Sequence, residues 1–238
     1  MSPSAQGSAT ALLEAAREGD LDRASALEGE LAEIDPGAIE GDAARIAFWV
    51  NLYNARVLHE FGERPRHGSL LRQRRLFCQV GYTVGGDRFT LDVIEHGLLR
   101  LNARPAYSLR RTLGRADPRL RAAPSCLDPR IHFALNCAAA SCPPVRSYAP
   151  ESIDEQLETA TAAYLQAETR VERGEEKVWI PYLLKLYKAD FGGDRKEALR
   201  FVRDRLPGPD GDWLRAQVAA AGVRVRWADY DWTIVVGS

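Results

Sequence analysis

The segment DAARIAFWVNLYNARVLHEF, residues 42–61, constrains this chain more than any other stretch. Ile46, Trp49, Val50, Tyr53, Val57 and Phe61 recur at steps of three and four, so on a 3.6-residue helix they form one apolar stripe. A stripe with three large aromatics must be covered by other elements. A chain of 238 residues, 45% of them hydrophobic, is long enough to cover it within one globular unit. Asp42 is the expected N-cap and Gly62 the expected stop. Asn51 and Asn54 stand three apart and share a face of this helix. Asparagine is unfavourable inside helices, so the pair is expected to hold a loop, by bonding its backbone, or to bind a substrate.

The flanking segments indicate what does the covering. Residues 9–34 carry alanine, leucine and charge at helical spacing and break at Gly19 and Gly29, which predicts two short helices. FCQVGYTV and DRFTL, joined by Gly85, Gly86 and Asp87, predict a hairpin, because glycine adopts positive φ at little cost. LDVIEHGLLRL predicts a helix capped by Thr90. IHFALNC, from Ile131, predicts a buried strand with Ile131, Phe133, Leu135 and Cys137 on one face and His132, Ala134 and Asn136 on the other. A hairpin about Gly174, short helices near Leu183 and Glu197, a helix from about Asp212 to Ala221, and strands at VRVRWA and WTIVV complete the chain. The expected fold class is α+β: a helix-rich single domain with a small, mainly antiparallel sheet. Residues 1–41 read as an N-terminal helical extension and residues 42–238 as the α+β domain.

Charge and motifs remove several classes of function. The 32 basic and 33 acidic residues give a formal net charge of -1, so no global field holds a nucleic acid or an anionic membrane, and neither partner is expected. Arginine clusters locally in ERPRHGSLLRQRR and LRRTLGRADPRLR, which leaves docking of an anionic partner open. The first residues do not resemble a signal peptide and no apolar run has membrane-spanning length, so a cytoplasmic location and four free thiols are expected. G-x-G-x-x-G, P-loop and G-x-S-x-G patterns are missing, and no cofactor is expected.

Candidate chemistry gathers at NCAAASCPPV. The small residues after Cys137 permit a tight turn, where a thiol could meet backbone N–H groups able to stabilise an oxyanion while an imidazole takes its proton. The competing reading makes Cys137 and Cys142 two small apolar side chains of a core, since free cysteine is among the most buried residue types. Of the four histidines, His132 is nearest, but strand parity turns it to the opposite face. His96 lies beside Glu95 on a predicted helix, His59 ends the Trp49 helix, and His67 sits among arginines where solvation is expected. His59, His96, His132 and a cysteine would make a chemically legal zinc set, yet their spacing matches no compact finger, and no metal ligand is assigned.

FWVNLYNARVLH, FTLDVIEHGLLR, DPRIHFALNCAAASCPPV, YAPESIDEQL and ADYDWT, in this order, resemble the DUF547 family. The resemblance runs from about residue 42 to 232. It implies a distant kinship with papain-like or transglutaminase-like thiol enzymes, an analogy of fold and residue type. It also points to Asn51, Asn54, His59, Glu95, His96, Arg100, Arg130, His132, Cys137 and Cys142 as the family's recurrent polar positions. The close DYDWTIVV departs from the family's usual Leu-Asn after Asp-Trp.

The leading expectation is a thiol-dependent acyl-transfer enzyme acting on an amide, ester or thioester of a small-molecule or peptide-like substrate. In it Cys137 is the nucleophile, His96 the general base with His132 as alternate, and Glu95 orients the imidazole. Asn51, Asn54, Arg130 and Cys142 would line the substrate site. The alternatives are a non-catalytic binding or scaffold domain docked through the arginine clusters, and a metal-dependent enzyme using the histidines. The oligomeric state is left open.

Overall fold

The computed structural model describes residues 4–63, 68–219 and 222–235, which fall into two compact units. The larger holds the residues up to Gln156 together with the segment from Trp232 onward, and the smaller holds Leu157–Asp231.

Helix α3 (Asp42–Glu63) is the axis of the larger unit, and the predicted stripe explains why. Phe48, Trp49, Tyr53 and Phe61 are all buried. The Trp49 ring meets Phe48 and Phe89 at 4.8 Å between centroids, and its Nε1–H donates to the Ala122 carbonyl at 2.9 Å. Truncating such a residue costs about 3–5 kcal/mol. Asp42 opens the helix, but its carboxylate accepts from the backbone N–H groups of Ser125 and Cys126 (2.8 and 3.3 Å), tying the helix start to a remote loop. Gly62 does not stop the helix, which continues to Glu63.

Helices α1 (Ala5–Glu18) and α2 (Leu21–Leu31) form the predicted N-terminal pair, and α1 packs along α3. Gly19, at φ +69°, ends α1, while Gly29 lies within α2. Strands β1 (Gly81–Val84) and β2 (Asp87–Thr90) make the predicted hairpin, turning through Gly85 and Gly86, both at positive φ.

Next comes a π-helix, Val93–Leu99. Its five-residue bonds are explicit: Arg100 N–H reaches the Glu95 carbonyl at 2.9 Å and Asn102 N–H the Gly97 carbonyl at 3.0 Å. Thr90 Oγ1 accepts from Val93 N–H at 3.3 Å, as its expected cap role requires. Leu101 and Asn102 follow at φ 50° and 57°, a left-handed pair that costs energy at non-glycine residues. The Asn102 side chain holds it, bonding both the N–H and the carbonyl of Leu113.

The strand expected from Ile131 is instead a 3₁₀ helix, Pro129–Phe133. Asp128 caps it by accepting from Arg130 N–H at 2.9 Å, and Pro129 presets φ at its first position. A short apolar run fits a buried strand or a buried helical turn equally well, and here the Asp-Pro start decides. Strand parity therefore does not separate His132 from Cys137. The expected strand at WTIVV is reduced, among the described residues, to single bridges of Thr233 with Ser69 and Ile234 with Ala139.

In the smaller unit β3 (Arg170–Glu172) pairs antiparallel with β4 (Lys177–Ile180), which pairs parallel with β5 (Arg224–Trp227). Helices α5 (Tyr182–Leu186), α6 (Arg195–Arg205) and α7 (Gly208–Ala219) supply the crossover that a parallel pair needs. Helix α4 (Ile153–Glu168) begins in the larger unit and continues into the smaller. The architecture is the expected helix-rich α+β class with two small sheets.

Candidate functional site

Cys137 and Cys142 are joined as a disulfide, with Cα atoms 6.2 Å apart. The expectation of free thiols holds for Cys78 and Cys126 and is corrected for this pair. A disulfide sulfur carries no thiolate, so nucleophilic attack by Cys137 requires prior reduction. Both residues are half-buried, and Cys137 N–H points at Cys142 Sγ from 3.1 Å. Ala138 sits at φ 67°, and the Asn136 side chain fixes the turn by accepting from Ala138 N–H at 2.7 Å and donating to the Pro143 carbonyl at 2.7 Å.

Asn54 braces this turn from α3. Its amide donates to the Ala134 carbonyl and accepts from Asn136 N–H, both at 2.9 Å. Asn51 does the same for Tyr148, donating to its carbonyl at 2.8 Å and accepting from its N–H at 3.0 Å. Of their two expected uses, holding a loop is the one these contacts display. Arg130 likewise grips the chain: its guanidinium bonds both Asp128 oxygens and, at 2.6 Å, Asp154 Oδ1. Its hydrogen bonds to Asp128, with further help from Asp154, hold it firmly in the charged form.

A second polar cluster lies on the π-helix. Glu95, His96 and Arg100 are buried, and Tyr53 of α3 donates to Glu95 Oε2 at 3.2 Å. Arg100 Nη1 stands 3.0 Å from His96 Nδ1, and Glu95 Oε1 is 3.5 Å from the same nitrogen. A guanidinium only donates, so its contact places the ring proton on Nε2, whereas pairing with Glu95 would place it on Nδ1. The shorter distance favours the first arrangement. Tyr107 packs edge-on against His96 at 5.6 Å and donates to Asp92 Oδ1 at 2.7 Å, while Cys78 Sγ lies 2.9 Å from Asp92 Oδ2. Burial first, then the Asp92 carboxylate, raises both acids, the Cys78 thiol to about 11. Tyr107, Asp92 and Cys78 had no sequence signal, because the irregular loop that delivers Tyr107 has no periodicity.

The two clusters share an anchor. Tyr53 holds the acid–imidazole group and Asn54, the next residue, holds the cysteine turn. His132 is buried on the 3₁₀ helix that leads into that turn, and His67 lies outside the described residues. Among the described residues no group of three or more His, Cys, Asp or Glu side chains is placed to hold a metal ion.

The sequence profile of DUF547, described as a protein family of unknown function, matches residues 39–165. The chain belongs to this family. The DUF547 match covers α3, the hairpin, the π-helix and the cysteine turn, so both polar clusters fall inside it, while ADYDWT lies beyond it. No curated protein and no solved structure matches the chain. No helix among the described residues is long and apolar enough to cross a membrane.

Proposed function

We propose that this DUF547 protein is a thiol-dependent acyl-transfer enzyme whose nucleophile is released when the Cys137–Cys142 disulfide is reduced. One observation carries the reading: consecutive residues of a buried helix, Tyr53 and Asn54, anchor an acid–imidazole cluster and a cysteine turn. Chemistry by a thiol and an imidazole needs the two groups within hydrogen-bond reach, and a common anchor favours that for groups from separate parts of the chain.

An external dithiol first reduces the disulfide and is itself oxidised to a disulfide. The Cys137 thiol then gives its proton to an imidazole, and its sulfur forms a C–S bond with the carbonyl carbon of an amide, ester or thioester. The leaving amine, alkoxide or thiolate departs with that proton, and water or a second nucleophile cleaves the S-acyl bond. His96 serves as base by giving up the Arg100 contact and pairing its Nδ1–H with Glu95. His132 is the alternate. Cys142 is the resolving sulfur, and the papain-like or transglutaminase-like kinship belongs to the same proposal. In a cytoplasmic setting the dithiol is the working form.

The test is reduction followed by iodoacetamide at pH near 7, with mass mapping of all four cysteines. An activated Cys137 reacts at least about tenfold faster than a thiol of pKa near 8.5, and His96→Asn or His132→Asn removes the excess. Four sulfurs at or below the ordinary rate would discard the enzyme reading. They would favour the second one, a non-catalytic binding domain, to which the backbone-directed bonds of Asn51 and Asn54 and the ion pairs of Arg130 already lend weight.

A further inference from the structure

Charge is distributed very unevenly over the larger unit. Residues 70–76 and 101–116 hold seven arginines and no aspartate or glutamate, and all seven arginines are exposed. The Arg74 guanidinium stacks on Tyr107 at 4.8 Å, which joins the two segments into one face. None of the seven has a carboxylate partner among the described residues. The neighbouring Arg119 and Arg121, in contrast, are neutralised by Asp117 and Asp35. This basic face also displays Leu71, Leu101, Tyr107 and Leu109, the last 91% exposed.

Residues 4–40 have the opposite character, with nine acidic residues against two arginines. Asp20, Asp22, Glu30, Glu33 and Glu40 are exposed and have no cationic partner among the described residues. Leu21 stands among them at 48% exposure. Five of the six large apolar side chains most exposed among the described residues therefore sit on one or other of these two faces. Unneutralised like charges raise the energy of the isolated chain, and apolar groups ringed by charge mark interaction surfaces. Among the described residues no ion pair joins the two faces.

We propose that two copies of this chain associate, the basic face around Leu109 of one docking on the acidic α1–α2 face of the other, with Leu21 among its apolar contacts. The same pair of faces meets twice in a two-fold dimer, which leaves neither exposed. Arginine suits this role because its planar fork pairs with carboxylates in fixed geometry. The inference does not depend on the thiol chemistry and stands or falls separately from it.

Sedimentation equilibrium of the full chain tests it. Dimers are expected in low salt, with a dissociation constant that rises at least about tenfold between 50 and 500 mM NaCl as screening shortens the range of attraction. Arg75→Glu with Arg110→Glu cuts the basic face from seven positive charges to a net three, and Asp22→Arg with Glu33→Arg cuts the five unpaired negative charges of the acidic face to a net one. Each double variant alone is expected to be monomeric with an unchanged circular dichroism spectrum, and a mixture of the two is expected to form heterodimers. A wild-type chain that stays monomeric in low salt, a dimer indifferent to the reversals, or a mixture that fails to pair overturns the proposal. So does arginine-dependent binding of a monomeric chain to vesicles of anionic and zwitterionic phospholipid, which would assign the basic face to a lipid surface.

Discussion

Asn54→Ala isolates the bond pair that holds the cysteine turn. Asn54 is completely buried, and its amide satisfies one backbone carbonyl, Ala134, and one backbone N–H, Asn136. Alanine supplies neither partner. Each stranded buried group costs about 1–3 kcal/mol, so the expected loss is about 2–6 kcal/mol. That is a large share of the roughly 5–15 kcal/mol that stabilises a typical domain. Urea titration under non-reducing conditions measures the loss. A second readout is specific to the turn: dithiothreitol should reduce Cys137–Cys142 faster in the variant, because Asn54 no longer pins residues 134 and 136. Asn54→Asp sharpens the test, keeping the acceptor for Asn136 N–H but placing a carboxylate against the Ala134 carbonyl. Burial and that carbonyl raise the folded-state pKa above its unfolded value, so this variant gains stability as pH falls and loses it as pH rises through the raised pKa. An Asn54→Ala protein within about 0.5 kcal/mol of wild type, with an unchanged reduction rate, would refute the reasoning, since surface-like substitutions behave that way.

Three further outcomes follow from the same contacts. A thiol titration under denaturing conditions should count two thiols before reduction and four after it, and in the native protein Cys126 should alkylate well before Cys78, whose pKa is pushed up to about 11; equal rates would contradict the Asp92 contact. For Asp42, burial raises the pKa but the hydrogen bonds from Ser125 and Cys126 outweigh it, leaving the net value lowered. The resulting stability is present above the ordinary aspartate pKa and lost as pH falls through the folded one, so Asp42→Asn should be less stable at neutral pH and should flatten the acid limb of a stability–pH curve. In β1, a Cβ at Gly81 would overlap the Phe89 carbonyl and the Thr90 Cα, so Gly81→Ala should cost at least about 1–3 kcal/mol in thermal unfolding, and an unchanged melting temperature would contradict the close approach.

Much of the larger unit was legible because its signals are local. The α3 stripe, the Gly85–Gly86 turn and the break at Gly19 each follow from a few adjacent residues. The candidate residues were legible as types, since Glu95, His96, Asn54 and Cys137 announce polar or reactive chemistry wherever they stand. Their partners were not. LDVIEHGLLRL has the same periodicity whether it closes four-residue or five-residue bonds, and IHFALNC suits a strand as well as a 3₁₀ helix.

By itself, the sequence determined the elements whose hydrogen bonds and apolar spacing close within a dozen residues, together with membership of DUF547. Tertiary structure alone decided that Asn51 and Asn54 face backbone, that Cys137 meets Cys142, that Arg100 and Glu95 compete for one nitrogen of His96, and that Arg74 stacks on Tyr107 to link two segments whose seven arginines have no carboxylate partner among the described residues. The physical reason is range. Helical and turn preferences act between near neighbours, whereas a buried polar group takes whichever partner the packed chain brings within about 3 Å, and that partner can lie eighty residues away.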